Sequence, residues 1–124
     1  MRIFKDDSPI YLQLRRHIEE LILDRQLSEE EAIPSIRIMA RDYQLNPITV
    51  GNALSSLVEA GILYKKRGVG IFVSPGARER IIELLSRDFV TQSLEPALTK
   101  ARQLELPKQQ IIELIESIYG GKDE

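Results

Sequence analysis

The sequence predicts a mainly α chain with a small β-hairpin, a winged helix-turn-helix followed by a short α-helical tail. Three observations predict it. Two apolar stripes of helical period, Ile36 to Tyr43 and Val50 to Leu57, are parted only by a short segment holding Leu45, Asn46 and Pro47. Two β-prone runs, Ile62-Leu63-Tyr64 and Ile71-Phe72-Val73, then flank a glycine-containing turn. Finally, Ser74-Pro75-Gly76 breaks the chain ahead of two further apolar helical stripes. The expected domains are residues 1–74 and residues 75–124.

Taken in order, Ser8 caps and Pro9 starts a first helix running to about Arg25. Ile10, Leu14, Ile18, Leu21 and Ile22 fall on one face, so it supplies the third helix that a helix-turn-helix pair needs to cover its apolar side. His17, the single histidine, is expected to be structural, since metal sites need several ligands. Ser28-Glu29-Glu30-Glu31 reads as a solvated acidic loop. Pro34 holds the residue before it extended, and Ser35 is a good N-cap for a helix reaching Tyr43. Its core stripe is Ile36, Met39, Ala40 and Tyr43, while Arg37 and Arg41, four apart, present two guanidinium groups to the outside.

Asn46 as N-cap and Pro47 at the first helical position open the next helix. Val50, Ala53, Leu54 and Leu57 form its buried stripe, and Gly61 supplies a left-handed C-terminal cap. Ile48, Thr49, Gly51, Asn52, Ser55 and Ser56 make an outward face that is small and uncharged, suited to close approach to DNA base edges. Asn46, Thr49, Asn52 and Ser55 are candidate hydrogen-bonding groups, and Ile48 a candidate contact to a thymine methyl. In the hairpin, Lys65, Lys66 and Arg67 run into Gly68-Val69-Gly70, so the cations are expected at the tip. There they suit a phosphate backbone or a minor groove.

The tail is expected to hold a long helix from Ala77 with Ile81, Leu84, Leu85 and Phe89 as its stripe. Pro96 is expected to kink or split it. Pro107 begins a last helix with Ile111, Leu114, Ile115 and Ile118 on one face, ended by Gly120-Gly121. About fifty residues of this kind are too few for a core of their own, so the stripe must pack on the first domain or on a second copy.

The formal net charge of −2 is unlike that of a nucleic-acid binder, but the charge is unevenly distributed. Ile33 to Ser74 carries Arg37, Arg41, Lys65, Lys66 and Arg67 against Asp42 and Glu59, a net +3, concentrated on the proposed reading surface. The absence of cysteine excludes disulfides and thiolate chemistry, and no cofactor or metal is expected. An enzyme is the weakest class. Gly68-Val69-Gly70 precedes a strand, whereas a nucleotide loop opens a helix. No signal peptide or apolar run of membrane length is present, so the cytoplasm is the expected place and no membrane partner is expected.

The set Pro34-Ser35-x-Arg37, Ala40, Leu45-Asn46-Pro47-x-Thr49-Val50, Ala53-Leu54, Leu57, Gly61 and Gly68-x-Gly70-x-Phe72-Val73 resembles the gluconate-repressor (GntR) family of bacterial regulators. The opening segment Phe4 to Leu14, with Ser8-Pro9-Ile10-Tyr11-x-Gln13, and the Asn46-Pro47 pair resemble its small YtrA subfamily. The resemblance implies DNA contacts at Arg37, Asn46 and Thr49 and in the wing at Arg67 and Gly68; Ser35 and Pro47 are candidate contacts beside them. It also implies a two-helix tail that pairs two copies, here through Ile81, Leu85, Phe89, Ile111, Leu114, Ile115 and Ile118. Many relatives carry a basic residue in the recognition helix, where this chain has Pro47, Gly51 and Asn52 and no Lys or Arg from Pro47 to Ala60. The expectation is a homodimeric transcriptional regulator, a repressor on a palindromic duplex operator. The rival is a winged-helix protein-interaction module without sequence-specific DNA binding. Neither the operator nor a small-molecule effector is legible in the residues.

Overall fold

The computed structural model describes residues 8–120. Phe4 to Asp7 of the expected opening motif and Gly121 of the expected helix stop lie outside them. The described elements are α1 (Ile10–Leu23), α2 (Ile36–Tyr43), α3 (Pro47–Glu59), β1 (Leu63–Lys66), β2 (Gly70–Val73), α4 (Ala77–Phe89), α5 (Glu95–Gln103) and α6 (Lys108–Tyr119). Contacts divide the chain into two compact units, Met1–Leu84 and Leu85–Glu124.

In the first unit α1 packs on α3, and α3 packs in turn on α2 and β1. Leu14, Ile18 and Ile22 of α1 meet Val50, Ala53, Leu54 and Leu57 of α3, with Met39 and Ala40 of α2 and Leu63 and Val73 of the hairpin closing the core. Each fully buried Leu or Ile contributes about 1.5–3 kcal/mol, so this one cluster carries the unit. α1 begins at Ile10 with Pro9 in the cap position and no side-chain cap bond, so Ser8 does not cap it. Instead, the Ser8 carbonyl accepts from the Gln13 side chain at 2.7 Å. His17 is structural as expected: its Nε2 lies 3.1 Å from the Tyr43 hydroxyl, the rings edge to face.

The helix ends follow their capping residues. Ser35 Oγ accepts from Ile38 N at 3.2 Å, and Asn46 Oδ1 from Ile48 N at 2.8 Å. Gln44 takes the left-handed conformation after α2, and Gly61, at φ 79°, takes it after α3. Ile36 departs from its expected core position. It is 37% exposed, because the first turn of α2 lies over the outward side of α3 beside Gly51.

β1 and β2 pair antiparallel with Leu63 opposite Val73, Tyr64 opposite Phe72, Lys65 opposite Ile71 and Lys66 opposite Gly70. The acidic segment before Pro34 is more than a solvated loop. Glu30 N donates to Val73 O at 2.7 Å, Val73 N to Glu31 O at 3.0 Å and Ile33 N to Ile71 O at 2.9 Å, so it lies along the free edge of β2. The first unit also takes in the start of α4, past the expected boundary at Ser74. Ala77 and Ile81 are buried, Arg78 Nε donates to Leu23 O at 2.8 Å, and Arg80 Nε donates to Ala60 O at 2.7 Å. Ile81 therefore belongs to this core. A side chain 1% exposed inside its own chain has no surface to offer a second copy.

In the second unit a π-helical turn, Val90–Leu94, joins α4 to α5, and the backbone at Phe89, Leu94 and Glu95 stays right-handed helical. Pro96, in the first turn of α5, thus sits behind a widened turn in a continuous helical path. In a regular α-helix its ring would press on the carbonyl four residues earlier, and the wider turn relieves that clash. None of the described residues of this unit is buried. No described helix is long and apolar enough to cross a membrane.

Candidate nucleic-acid interface

The proposed reading surface is built on α2, α3 and the hairpin, and the cap bonds fix where each helix begins. Ser35 and Asn46 spend their side-chain acceptors on those caps, leaving the Ser35 hydroxyl hydrogen and the Asn46 amide N–H groups for a ligand. Pro47, Ile48 and Asn52 are exposed and Thr49 is half-buried; Ile48, at 73% exposed, is the most protruding apolar side chain of α3. Arg37 and Arg41 stand exposed on α2 as expected. Arg41 Nε lies 3.1 Å from Asp42 Oδ1, an exposed pair worth under ~1 kcal/mol that a phosphate can displace.

Ser56 is not part of the outward face. It is half-buried toward α1, where the Arg15 guanidinium donates to its Oγ. The same Arg15 pairs with the buried Glu19 at 3.3 Å, so one guanidinium ties α3 to α1. Sequence reasoning missed this brace. Its one signal was an i,i+4 Arg–Glu pair on a helix otherwise read for its apolar stripe.

The cations are distributed differently from the expected cluster at the tip. Lys65 and Lys66 are strand residues, and only Arg67 lies in the turn, with Gly68 at φ 75° and Val69 N donating to Lys66 O at 2.9 Å. Alternation along a strand sends neighbouring side chains to opposite faces. Lys65 follows Leu63 toward α3 and lines a hollow with Ile48, Gly51, Asn52 and Ser55. Lys66 follows Tyr64 to the other face, its Nζ 4.7 Å from the centre of the Phe72 ring. That outer face is braced as well. Tyr64 stacks on Phe72 at 5.7 Å, and its hydroxyl donates to Glu30 Oε1 at 2.7 Å, which raises the phenol pKa above its ordinary value.

The predicted tail residues other than Ile81 lie in the second unit. Leu85, Phe89, Leu114, Ile115 and Ile118 are exposed there, while Ile111 is half-buried. Ile111 lines a groove of about 390 Å³ between α5 and α6 with Leu98, Ala101, Leu106 and Ile112.

Residues 10–73 match the family described as bacterial regulatory proteins, gntR family. The uncharacterized HTH-type transcriptional regulator YhcF of Bacillus subtilis (strain 168) is 29% identical over 118 residues, covering 95% of this chain and 96% of that protein. The HTH-type transcriptional repressor YtrA of the same organism is 28% identical over 121 residues, 95% of this chain and 93% of its own. Among solved structures, a GntR family transcriptional regulator from Listeria monocytogenes superposes with a TM-score of 0.70 at 29% identity. It covers 92% of this chain and 98% of that one.

Proposed function

The chain belongs to the gntR family of bacterial regulatory proteins and is a transcriptional regulator with a DNA-binding domain, and from that premise we propose that it is a cytoplasmic, homodimeric repressor of a two-fold-symmetric operator. In this reading, α3 of each copy enters a major groove, about one helical turn from its mate. Arg37 and Arg41 on α2 and Arg67 with Gly68 in the turn hold the phosphates beside it. Ser35, Asn46, Pro47, Ile48, Thr49, Asn52 and Ser55 form the surface over the bases.

The observation that carries the DNA reading is the charge segregation. A chain of net −2 places a net +3 on Ile33 to Ser74, with every cation of that segment exposed. The name of the similar YtrA, a repressor, supports the sign of regulation. Pairing of copies is supported by the second unit, where Leu85, Phe89, Leu114, Ile115 and Ile118 present apolar area that its own helices do not cover.

Selection of bound duplexes from random DNA, followed by titration over a salt series, tests the reading. Arg37→Ala is expected to weaken binding to every duplex and to lower the log–log salt slope by roughly 0.9. An unchanged affinity and slope, with the fold intact by circular dichroism, overturns the assigned phosphate contact. Light scattering tests assembly: the full chain is expected as a dimer and Ile118→Asp as a monomer. A wild-type chain that remains monomeric at micromolar concentration overturns the dimer.

A further inference from the structure

We propose that Lys65 belongs functionally to the recognition helix: it is the cation that α3 lacks, and it reads a base edge, whereas Lys66 and Arg67 serve the phosphates. This rests on the DNA-binding reading above and assigns a specificity-determining residue within it.

The placement follows from the strand. Leu63 is buried under α3, so the side chain two residues on emerges on the same face, just past the edge of the core. There Lys65 lines a hollow of about 590 Å³ with Ile48, Gly51, Asn52 and Ser55 along α3 and Ile71 from β2. Along α3 these positions follow an i, i+3, i+4, i+7 pattern, so they form one continuous outward stripe. Gly51 leaves the middle of the stripe open, since a Cβ added there would meet nothing closer than Ile36 Cδ1 at 3.9 Å.

The charge in the hollow favours a base over a phosphate. Glu59 lines it as well, one turn past Ser55 on α3, and Lys65 is its one cation. An acid and a cation sharing the hollow with an amide and a hydroxyl sum to little net charge but offer both donors and acceptors. A row of phosphates wants only donors and positive charge, whereas a base-pair edge in the major groove presents both kinds of group. The ammonium is the donor that suits the O6 and N7 acceptors of guanine. Lys66 is placed otherwise, over the Phe72 ring on the outer face of the hairpin, and is not among the residues that line the hollow.

Lys65→Ala and Lys66→Ala in the full chain separate the two roles. Each variant is titrated against the duplex selected by the wild-type protein and against a scrambled duplex of equal length. Lys65→Ala is expected to lower the ratio of the two affinities by about tenfold, and renewed selection with this variant is expected to lose a guanine preference at one position per half-site. Lys66→Ala is expected to weaken both duplexes by the same factor and to leave the ratio unchanged. A Lys65→Ala protein that loses affinity for both duplexes equally, with the selected sequence unaltered, overturns the proposal and leaves the DNA-binding reading standing. A wild-type protein that prefers no selected duplex over the scrambled one overturns the reading itself and this proposal with it.

Discussion

In the first unit the apolar stripes of α1, α3 and the hairpin face one another, and Leu14, Leu54, Leu57 and Leu63 are exposed by 2% or less. In the second unit α6 carries Leu and Ile at the same helical spacing, yet Leu114 and Ile118 remain 55% and 70% exposed. Composition does not separate α6 from α1 or α3. What differs is the number of surfaces that can meet: three helices, a hairpin and the start of α4 enclose a volume, whereas two helices joined by a short turn leave each outer side open. One unit finishes its core within the chain, and the other leaves its apolar side chains uncovered by its own helices.

The largest effect that tests this contrast is in the core. Leu57→Ala is expected to lower the unfolding free energy by about 2–5 kcal/mol at any protein concentration. Ile118→Ala is expected to change it by less than about 0.5 kcal/mol in dilute solution and to act mainly by weakening association. Denaturant titrations at two protein concentrations distinguish them, and a similar loss for both at high dilution would break the comparison.

Where the first unit ends is tested by two truncations. A chain ending after Leu84 keeps Ile81, Ala77 and the bonds from Arg78 and Arg80 to the Leu23 and Ala60 carbonyls. One ending after Ser74 loses them all. The shorter form is expected to be less stable by about 2–4 kcal/mol, mostly from the lost burial of Ala77 and Ile81, with a smaller share from the two arginine–carbonyl hydrogen bonds. Equal melting temperatures for the two forms would return the start of α4 to the tail.

A smaller effect concerns the helix placed at the reading surface. Gly51 is a helix-interior glycine with ordinary room for a methyl group, so Gly51→Ala is expected to stabilise the free protein by about 0.5–1 kcal/mol. The same variant is expected to bind the selected duplex more weakly if the backbone of α3 approaches the groove closely. A raised melting temperature with unchanged DNA affinity would mark Gly51 as a tolerated surface position.

The smallest effect is a pH dependence of the α1–α2 contact. Burial lowers the His17 pKa below its ordinary value, with Glu20 opposing the shift in part. The unfolded chain therefore binds more protons there than the folded one, so stability rises with pH up to about 6.5, is flat above, and falls as the histidine is forced to charge in acid. His17→Gln is expected to flatten that part of the melting-temperature profile. An identical profile in the variant would show that His17 does not contribute to it.

The sequence by itself determined the elements and their order: α2 and α3 with Ser35 and Asn46 at their caps, the buried stripe of α3, the left-handed Gly61 and the glycine-tipped hairpin. These are written in side chains that act within a few residues of themselves, through capping bonds, helical period and backbone freedom. Only the tertiary structure decided the rest. The edge pairing of Glu30 to Ile33 uses backbone groups, which are the same in every residue and leave no trace in an acidic sequence. Ile36 turned outward, and Ile81 inward to its own core, because neighbours distant in sequence set which part of an apolar stripe is covered. Ser56 was claimed by Arg15 from another helix. The separation of Lys65 from Lys66 needed the strand to extend past its apolar run, which depends on pairing across the hairpin.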